Sequence, residues 1–142
     1  METENWIYSD GGRAEAGFKG TAGDCTVRAI CNATGKDYKE VYNDLFKLNK
    51  QNEKNPRSPR DGGTPMKTIK QYLSSLGLVW VPLMGIGTGC KVHLTASELP
   101  QGTIICRLSR HLTCVKDGII YDTYDCSREG TRCVYGYWRM EE

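Results

Sequence analysis

The chain has 142 residues, a length that fits one domain with a buried core and no need for cross-links. Its 19 basic and 17 acidic residues leave a formal net charge of +2, which gives no electrostatic indication of a nucleic-acid partner. No apolar run has the length of a membrane span, and residues 1–10 lack the pattern of a signal peptide. Seven cysteines, an odd number, favour a reducing compartment with mostly free thiols. We therefore expect a cytoplasmic protein without a nucleic-acid or membrane partner.

The first half of the chain is predicted to be helical. Residues 1–23 contain several glycines and little periodicity, and we expect an extended N-terminal arm that packs over the domain. Apolar residues then recur at three- and four-residue spacings in 24–35, 37–50 and 64–77, and each segment begins with a typical capping residue. The polar residues 51–63 are predicted to form a long loop.

The second half changes to the short apolar runs of β-strands. Asp117-Gly118, between two such runs, is a strong signal for a two-residue hairpin turn. Helices followed by strands are typical of the α+β class, here as a single domain over residues 1–142 with N-terminal helices packed on a C-terminal antiparallel sheet. The predicted strands are residues 78–83, 103–108, 111–116, 119–124 and 132–138.

Cys25 is the candidate nucleophile. It follows a glycine-rich loop and Asp24 at the start of the first predicted helix, and a helix N-terminus lowers the pKa of a thiol. Arg28 is predicted to form a structural salt bridge nearby. The other six cysteines show no Cys-x-x-Cys spacing, so they are interpreted as packing residues, with no metal site and no cofactor.

His111 is the better of the two histidines as a base for this thiol, because a strand supports its ring rigidly. If Asp117-Gly118 is a two-residue turn, facing positions sum to 235. His111 then lies diagonal to Asp122 on the same face of the sheet. A slip of one residue would instead bring Asp125 opposite His111, and both carboxylates stay open as the orienting acid.

These residues resemble a known family. The run Lys19-Gly20-Thr21-Ala22-Gly23-Asp24-Cys25 is similar to the loop before the nucleophile helix of papain-like cysteine peptidases. In size and in the order Cys, His, Asp, the chain is closer to small relatives with this fold, such as bacteriocin leader peptidases and small phage-encoded proteins.

The resemblance implies a papain-like fold and a thiol hydrolase without a cofactor, acting on a peptide or protein substrate. Cys25 would attack a carbonyl, His111 would transfer the proton, and Asp122 would orient the imidazole. The oxyanion would be held by the Cys25 amide and a loop donor. Lys19 stands where the family has glutamine, and Thr21 is the other candidate donor.

Other functions remain open at this point. The same triad serves an acyltransferase or transglutaminase, which passes the acyl group to an amine instead of water. A catalytically inactive papain-like module that binds a peptide or partner protein is a second alternative, motivated by Lys19. An unrelated α+β fold with a structural Cys25 is the third.

Overall fold

The structure is a computed structural model that describes residues 5–18, 24–59, 64–85 and 87–140. These residues form an α+β fold of three helices and a six-stranded mixed sheet, which confirms the predicted class. The helices are α1 (Cys25–Thr34), α2 (Tyr38–Asn52) and α3 (Met66–Ser75), and a 3-10 turn covers Ala96–Glu98. The strands are β1 (Trp6–Tyr8), β2 (Leu78–Pro82), β3 (Thr103–Leu108), β4 (His111–Lys116), β5 (Ile119–Asp122) and β6 (Gly136–Met140).

The helix boundaries follow local capping chemistry. Helix α1 ends at Gly35, whose positive φ of 77° is the left-handed conformation that glycine adopts at little cost. Asp37 accepts a hydrogen bond from the Glu40 amide at the start of α2, as the capping pattern predicts. Pro65 occupies the N-cap position of α3, one residue later than the predicted cap at Thr64.

The sheet has the strand order β1-β5-β4-β3-β6-β2. The predicted purely antiparallel sheet is wrong, because β1 pairs in parallel with β5. Residues 6–8 are therefore a strand of the sheet and not part of an arm that packs over it. The last strand is also displaced from its predicted position: residues 132–135 precede it, and β6 begins at Gly136.

Hairpin β4–β5 has the predicted register. Cys114 faces Tyr121, Val115 faces Ile120 and Lys116 faces Ile119, so each pair sums to 235. Asp117 and Gly118 both have positive φ, at 50° and 83°, as a two-residue turn of type I′ requires.

Both faces of the sheet are covered, which explains the unbroken apolar run of β3. Ile105 packs with the helices, together with Val27, Ile30 and Trp138. Ile104 and Cys106 point to the opposite face, into a second core with Leu94, Leu99 and Val134. In the described part of the chain, no helix combines the length and apolar character that a bilayer crossing needs.

Two further local features are a disulfide and a close packing contact of a glycine. Cys90 and Cys133 form a disulfide, so the prediction that both are free packing residues is wrong. The other five cysteines are free. Gly136 of β6 lies against the indole ring of Trp80, and an added Cβ would overlap that ring.

Candidate active site

Cys25 lies where the start of α1 meets the start of β4. Its thiol interacts electrostatically with the His111 imidazole and with the backbone of Leu112. Burial raises the pKa of the Cys25 thiol, but these interactions and the charges of His111 and Arg28 outweigh burial, so the net shift is downward. By contrast, burial is the main cause that raises the pKa values of Cys31, Cys106 and Cys114.

His111 is the first residue of β4, and Asp122 is the last residue of β5. The Nε2 atom of His111 lies 2.7 Å from Oδ2 of Asp122, and both side chains are buried. Burial lowers the pKa of His111, but hydrogen bonds to Asp122, Cys126 and Cys25 raise it well above its ordinary value. Burial likewise raises the pKa of Asp122, and its bonds to His111, Thr113 and Thr123 lower it overall. Relative to the free side chains, the site therefore shifts all three groups towards their charged forms, thiolate, imidazolium and carboxylate.

Several groups fix the position of Asp122. The Thr113 hydroxyl donates to Oδ2 at 2.7 Å, and the Thr123 amide donates to Oδ1 at 2.7 Å. The Cys126 thiol lies 3.7 Å from Oδ2. On the backbone side, the Trp6 indole donates to the Asp122 carbonyl at 3.0 Å. The carboxylate is thus held on both oxygens.

A second buried carboxylate, Asp24, is linked to the site through Arg28. Asp24 accepts from Arg13 at 2.9 Å, from Tyr38 and from Arg28, and it is fully buried. The other end of the Arg28 guanidinium lies 3.5 Å from Asp122. The predicted salt bridge of Arg28 is confirmed, and it connects two carboxylates.

Asp24 occupies the N-cap position of α1, but its side chain does not cap the helix as the sequence suggested, because the arginines and Tyr38 bind it. The Arg28 amide makes the first hydrogen bond within α1, to the Asp24 carbonyl. Within the described residues the Cys25 amide consequently has no acceptor. It remains free for an oxyanion beside the thiol.

The remaining predicted site residues do not join this cluster. Asp125 is exposed, and its carboxylate accepts from the Ser127 amide at 3.0 Å instead of contacting His111. The observed register explains this, because position 122 and not 125 shares the face of His111. Lys19 and Thr21, the candidate oxyanion donors, lie outside the described residues.

Sequence reasoning missed some of the supporting residues. Thr113 lies two residues after His111 on the same face of β4. Because side chains alternate along a strand, this spacing could have identified Thr113 as a neighbour of the site. Trp6, Arg13 and Cys126 reach the site through tertiary contacts that no local spacing indicates.

A cleft of about 670 Å³ opens beside Cys25 and His111. One wall comes from the end of α2, the loop after it and the start of α3, and the other from the β3–β4 hairpin. Among the described residues, the side chains of these two walls are apolar or cationic, apart from Glu53 and Thr64. The first wall contributes Glu53, Arg57, Thr64, Pro65, Met66 and Ile69, and the second contributes Arg107, Leu108, Arg110 and Leu112.

His111, Asp122 and Cys126 place possible metal-ligating atoms within 4.8 Å of one another. A metal ion there would have to break the 2.7 Å bond between His111 and Asp122. It would also meet the Arg28 guanidinium, 3.5 Å from the carboxylate. These contacts fit a hydrogen-bonded pair better than a metal centre.

No protein-family model, curated protein or solved structure matches this chain. The evidence for function is therefore the contact of a cysteine, a histidine and an aspartate beside a cleft.

Proposed function

We propose that the protein is a thiol hydrolase that cleaves a peptide, isopeptide or related amide bond through Cys25, His111 and Asp122. The observation that supports this most directly is the position of the His111 ring. It interacts with the Cys25 side chain, lines the same cleft as that thiol, and hydrogen-bonds the Asp122 carboxylate through Nε2 at 2.7 Å. A nucleophile, a base and an orienting acid in this contact order form the arrangement that acyl transfer requires.

In the proposed reaction, the Cys25 thiolate attacks the substrate carbonyl carbon and forms a C–S bond. The oxyanion that develops faces the free amide of Cys25 at the start of α1. The C–N bond then breaks, and the His111 imidazolium gives its proton to the leaving amine. Water, deprotonated by the neutral imidazole, attacks the thioester and releases the acid together with the free thiol.

We further infer a compact papain-like fold for the chain. Helix α1 carries the cysteine, and adjacent antiparallel strands carry the histidine and the acid, in the chain order of the small relatives named above. Helix α1 packs on β3, β4 and β5, which supports this arrangement.

The first test uses the reactivity of the thiols. Iodoacetamide near pH 6, followed by peptide mapping, should alkylate Cys25 before the other free cysteines, because only a thiolate reacts quickly. Burial raises the pKa of Cys31, Cys106 and Cys114, which makes them internal references. Equal labelling of all the free cysteines would refute an activated Cys25.

The second test looks for the acyl-enzyme. An activated ester such as p-nitrophenyl acetate should give a burst of nitrophenol and an acetyl adduct on Cys25 that decays in water. Cys25→Ala should abolish both, and Cys31→Ala, a matched change on the same helix, should keep both. A reactive Cys25 that forms no adduct would favour the inactive binding module. An adduct that decays only when an amine is added would favour an acyltransferase.

A further inference from the structure

The cleft carries an excess of positive charge. Among the described residues, Arg57, Arg107 and Arg110 line it together with one carboxylate, Glu53; Arg57 has an interaction of its own, so the excess rests on Arg107 and Arg110. The whole chain is close to neutral, with 19 basic and 17 acidic residues, so the excess is local to the cleft. A local excess of one sign raises the concentration of ligands of the opposite sign.

Two of these arginines belong to the β3–β4 hairpin, which also carries the proposed base. Arg110 lies in the turn directly before His111. Arg107 lies near the end of β3, next to Leu108, and Leu108 pairs with His111. A group bound by these guanidinium groups would lie close to the reacting carbonyl. Among the described residues, no carboxylate lies within 4.0 Å of either of them.

Arg107 is held in place without an acidic partner. Its guanidinium carbon lies 5.8 Å from the centre of the Tyr135 ring, and its carbonyl accepts from the Tyr135 amide at 2.9 Å. A guanidinium held over an aromatic ring keeps the hydrogen-bond donors in its own plane available, where they match the two oxygens of a carboxylate.

We propose that the substrate presents a carboxylate to Arg107 and Arg110, so that the cleft selects acidic peptides. This inference rests on the proposed function, since it assigns the substrate class of the same site. The carboxylate can come from an Asp or Glu side chain next to the scissile bond, or from the C-terminus of a short peptide. The apolar walls provided by Met66, Ile69 and Leu112 would cover the remainder of the peptide.

The test measures binding separately from cleavage. Acetylated pentapeptide pools, randomised except for a central Glu or Gln, are each prepared with a C-terminal amide or a free carboxylate. Binding is measured as protection of Cys25 from iodoacetamide, and cleavage as new peptide products by mass spectrometry. We expect about tenfold better protection by the Glu pool than by the Gln pool, the scale of a charge-assisted hydrogen bond.

Variants of the two hairpin arginines test whether these residues cause the preference for the Glu pool. Arg107→Gln and Arg110→Gln should each move the Glu-to-Gln protection ratio towards one, and added salt should do the same. Arg139 is exposed and does not line the cleft, so the control variant Arg139→Gln should leave the protection ratio unchanged. Arg110 is itself exposed in a turn, so its variant should keep the fold.

The outcomes separate the two proposals. Equal protection by all the pools, or a ratio that survives both arginine changes, would overturn the acidic-substrate inference and leave the hydrolase intact. A preference for the free C-terminus over the amide, with no effect of the central residue, would assign the carboxylate to the peptide terminus. Selective protection by acidic pools without cleavage of any pool would keep the binding inference and count against the hydrolase.

Discussion

Replacing Asp122 by Asn should uncouple the thiol from its base. The change keeps the shape of the side chain but removes the charge that stabilises the His111 imidazolium. Without the carboxylate the thiolate–imidazolium pair is less stable relative to the neutral pair, so the Cys25 thiol should titrate closer to its ordinary value. The thiolate should then form only near pH 8 to 9, whereas the wild-type thiolate persists at lower pH because its pKa is lowered.

The hydrogen bonds of Asp122 determine how large the change in the Cys25 thiolate population should be. The two oxygens of Asp122 accept hydrogen bonds from His111, Thr113 and Thr123. In Asp122→Asn the amide nitrogen replaces one of these oxygens, and a nitrogen that is itself a donor cannot accept the bond made there. Hydrogen bonds to a charged group exceed neutral ones by about 1 to 1.5 kcal/mol. A loss of that size on the bond to His111 equals about one pKa unit, or roughly a tenfold change in thiolate population.

The assay is the rate of alkylation of Cys25 by iodoacetamide from pH 5 to pH 9, followed by intact mass spectrometry. We expect Asp122→Asn to react about tenfold more slowly than wild type at pH 6 and at an equal rate at pH 9. Asp125→Asn is the matched control, because Asp125 is exposed and does not contact His111. Identical pH profiles for wild type and Asp122→Asn, with both proteins folded by circular dichroism, would refute this electrostatic coupling.

Three further changes test the scaffold. Asp24→Asn leaves two buried guanidinium groups without their shared counter-ion, and urea unfolding should show a loss of about 3 to 5 kcal/mol; a loss below about 1 kcal/mol would contradict the buried network. Gly136→Ala forces a methyl group against an indole ring and should cost about 1 to 3 kcal/mol, measured by thermal melting. Gly85→Ala, where the nearest atom is 3.6 Å from the added Cβ, should cost much less, and equal costs would refute the packing argument. The double variant Cys90→Ser and Cys133→Ser opens a loop with a sequence separation of 43 and should lower the unfolding free energy by about 4 kcal/mol. The rate at which iodoacetamide alkylates Cys25 should be the same in this double variant as in the wild type. A slower rate would show that the disulfide supports the site.

The part of the site that the sequence predicted depends on local geometry. A two-residue turn fixes the register of a hairpin, and the period of two then determines which residues share a face with His111. Asp122 satisfies both conditions and Asp125 does not, which the observed pairing confirms. The start of α1 at Cys25 likewise follows from a helical pattern that begins there.

The features of the fold and the site that the sequence did not predict depend on contacts between distant segments. A three-residue strand such as β1 carries too little pattern to reveal a parallel partner more than a hundred residues away. Asp24 has the identity of a capping residue, but the competing arginine that removes it from that role, Arg13, comes from a glycine-rich stretch without periodicity. The pairing of Cys90 with Cys133 is likewise a property of the folded chain, since spacing does not fix connectivity.

The parallel strand β1 also affects when the site can form during synthesis. The Trp6 indole and the Ser9 amide both bind the carbonyl of Asp122, and Trp6 precedes it by 116 residues. At a synthesis rate of about 5–20 residues per second, β1 is made on the order of 10 s before its partner strand exists. During that interval a short aromatic strand has unpaired backbone groups, which is the kind of segment that pairs with other chains. The support of the orienting acid thus cannot form until the strand that carries Asp122 has been made, long after Trp6 and Ser9.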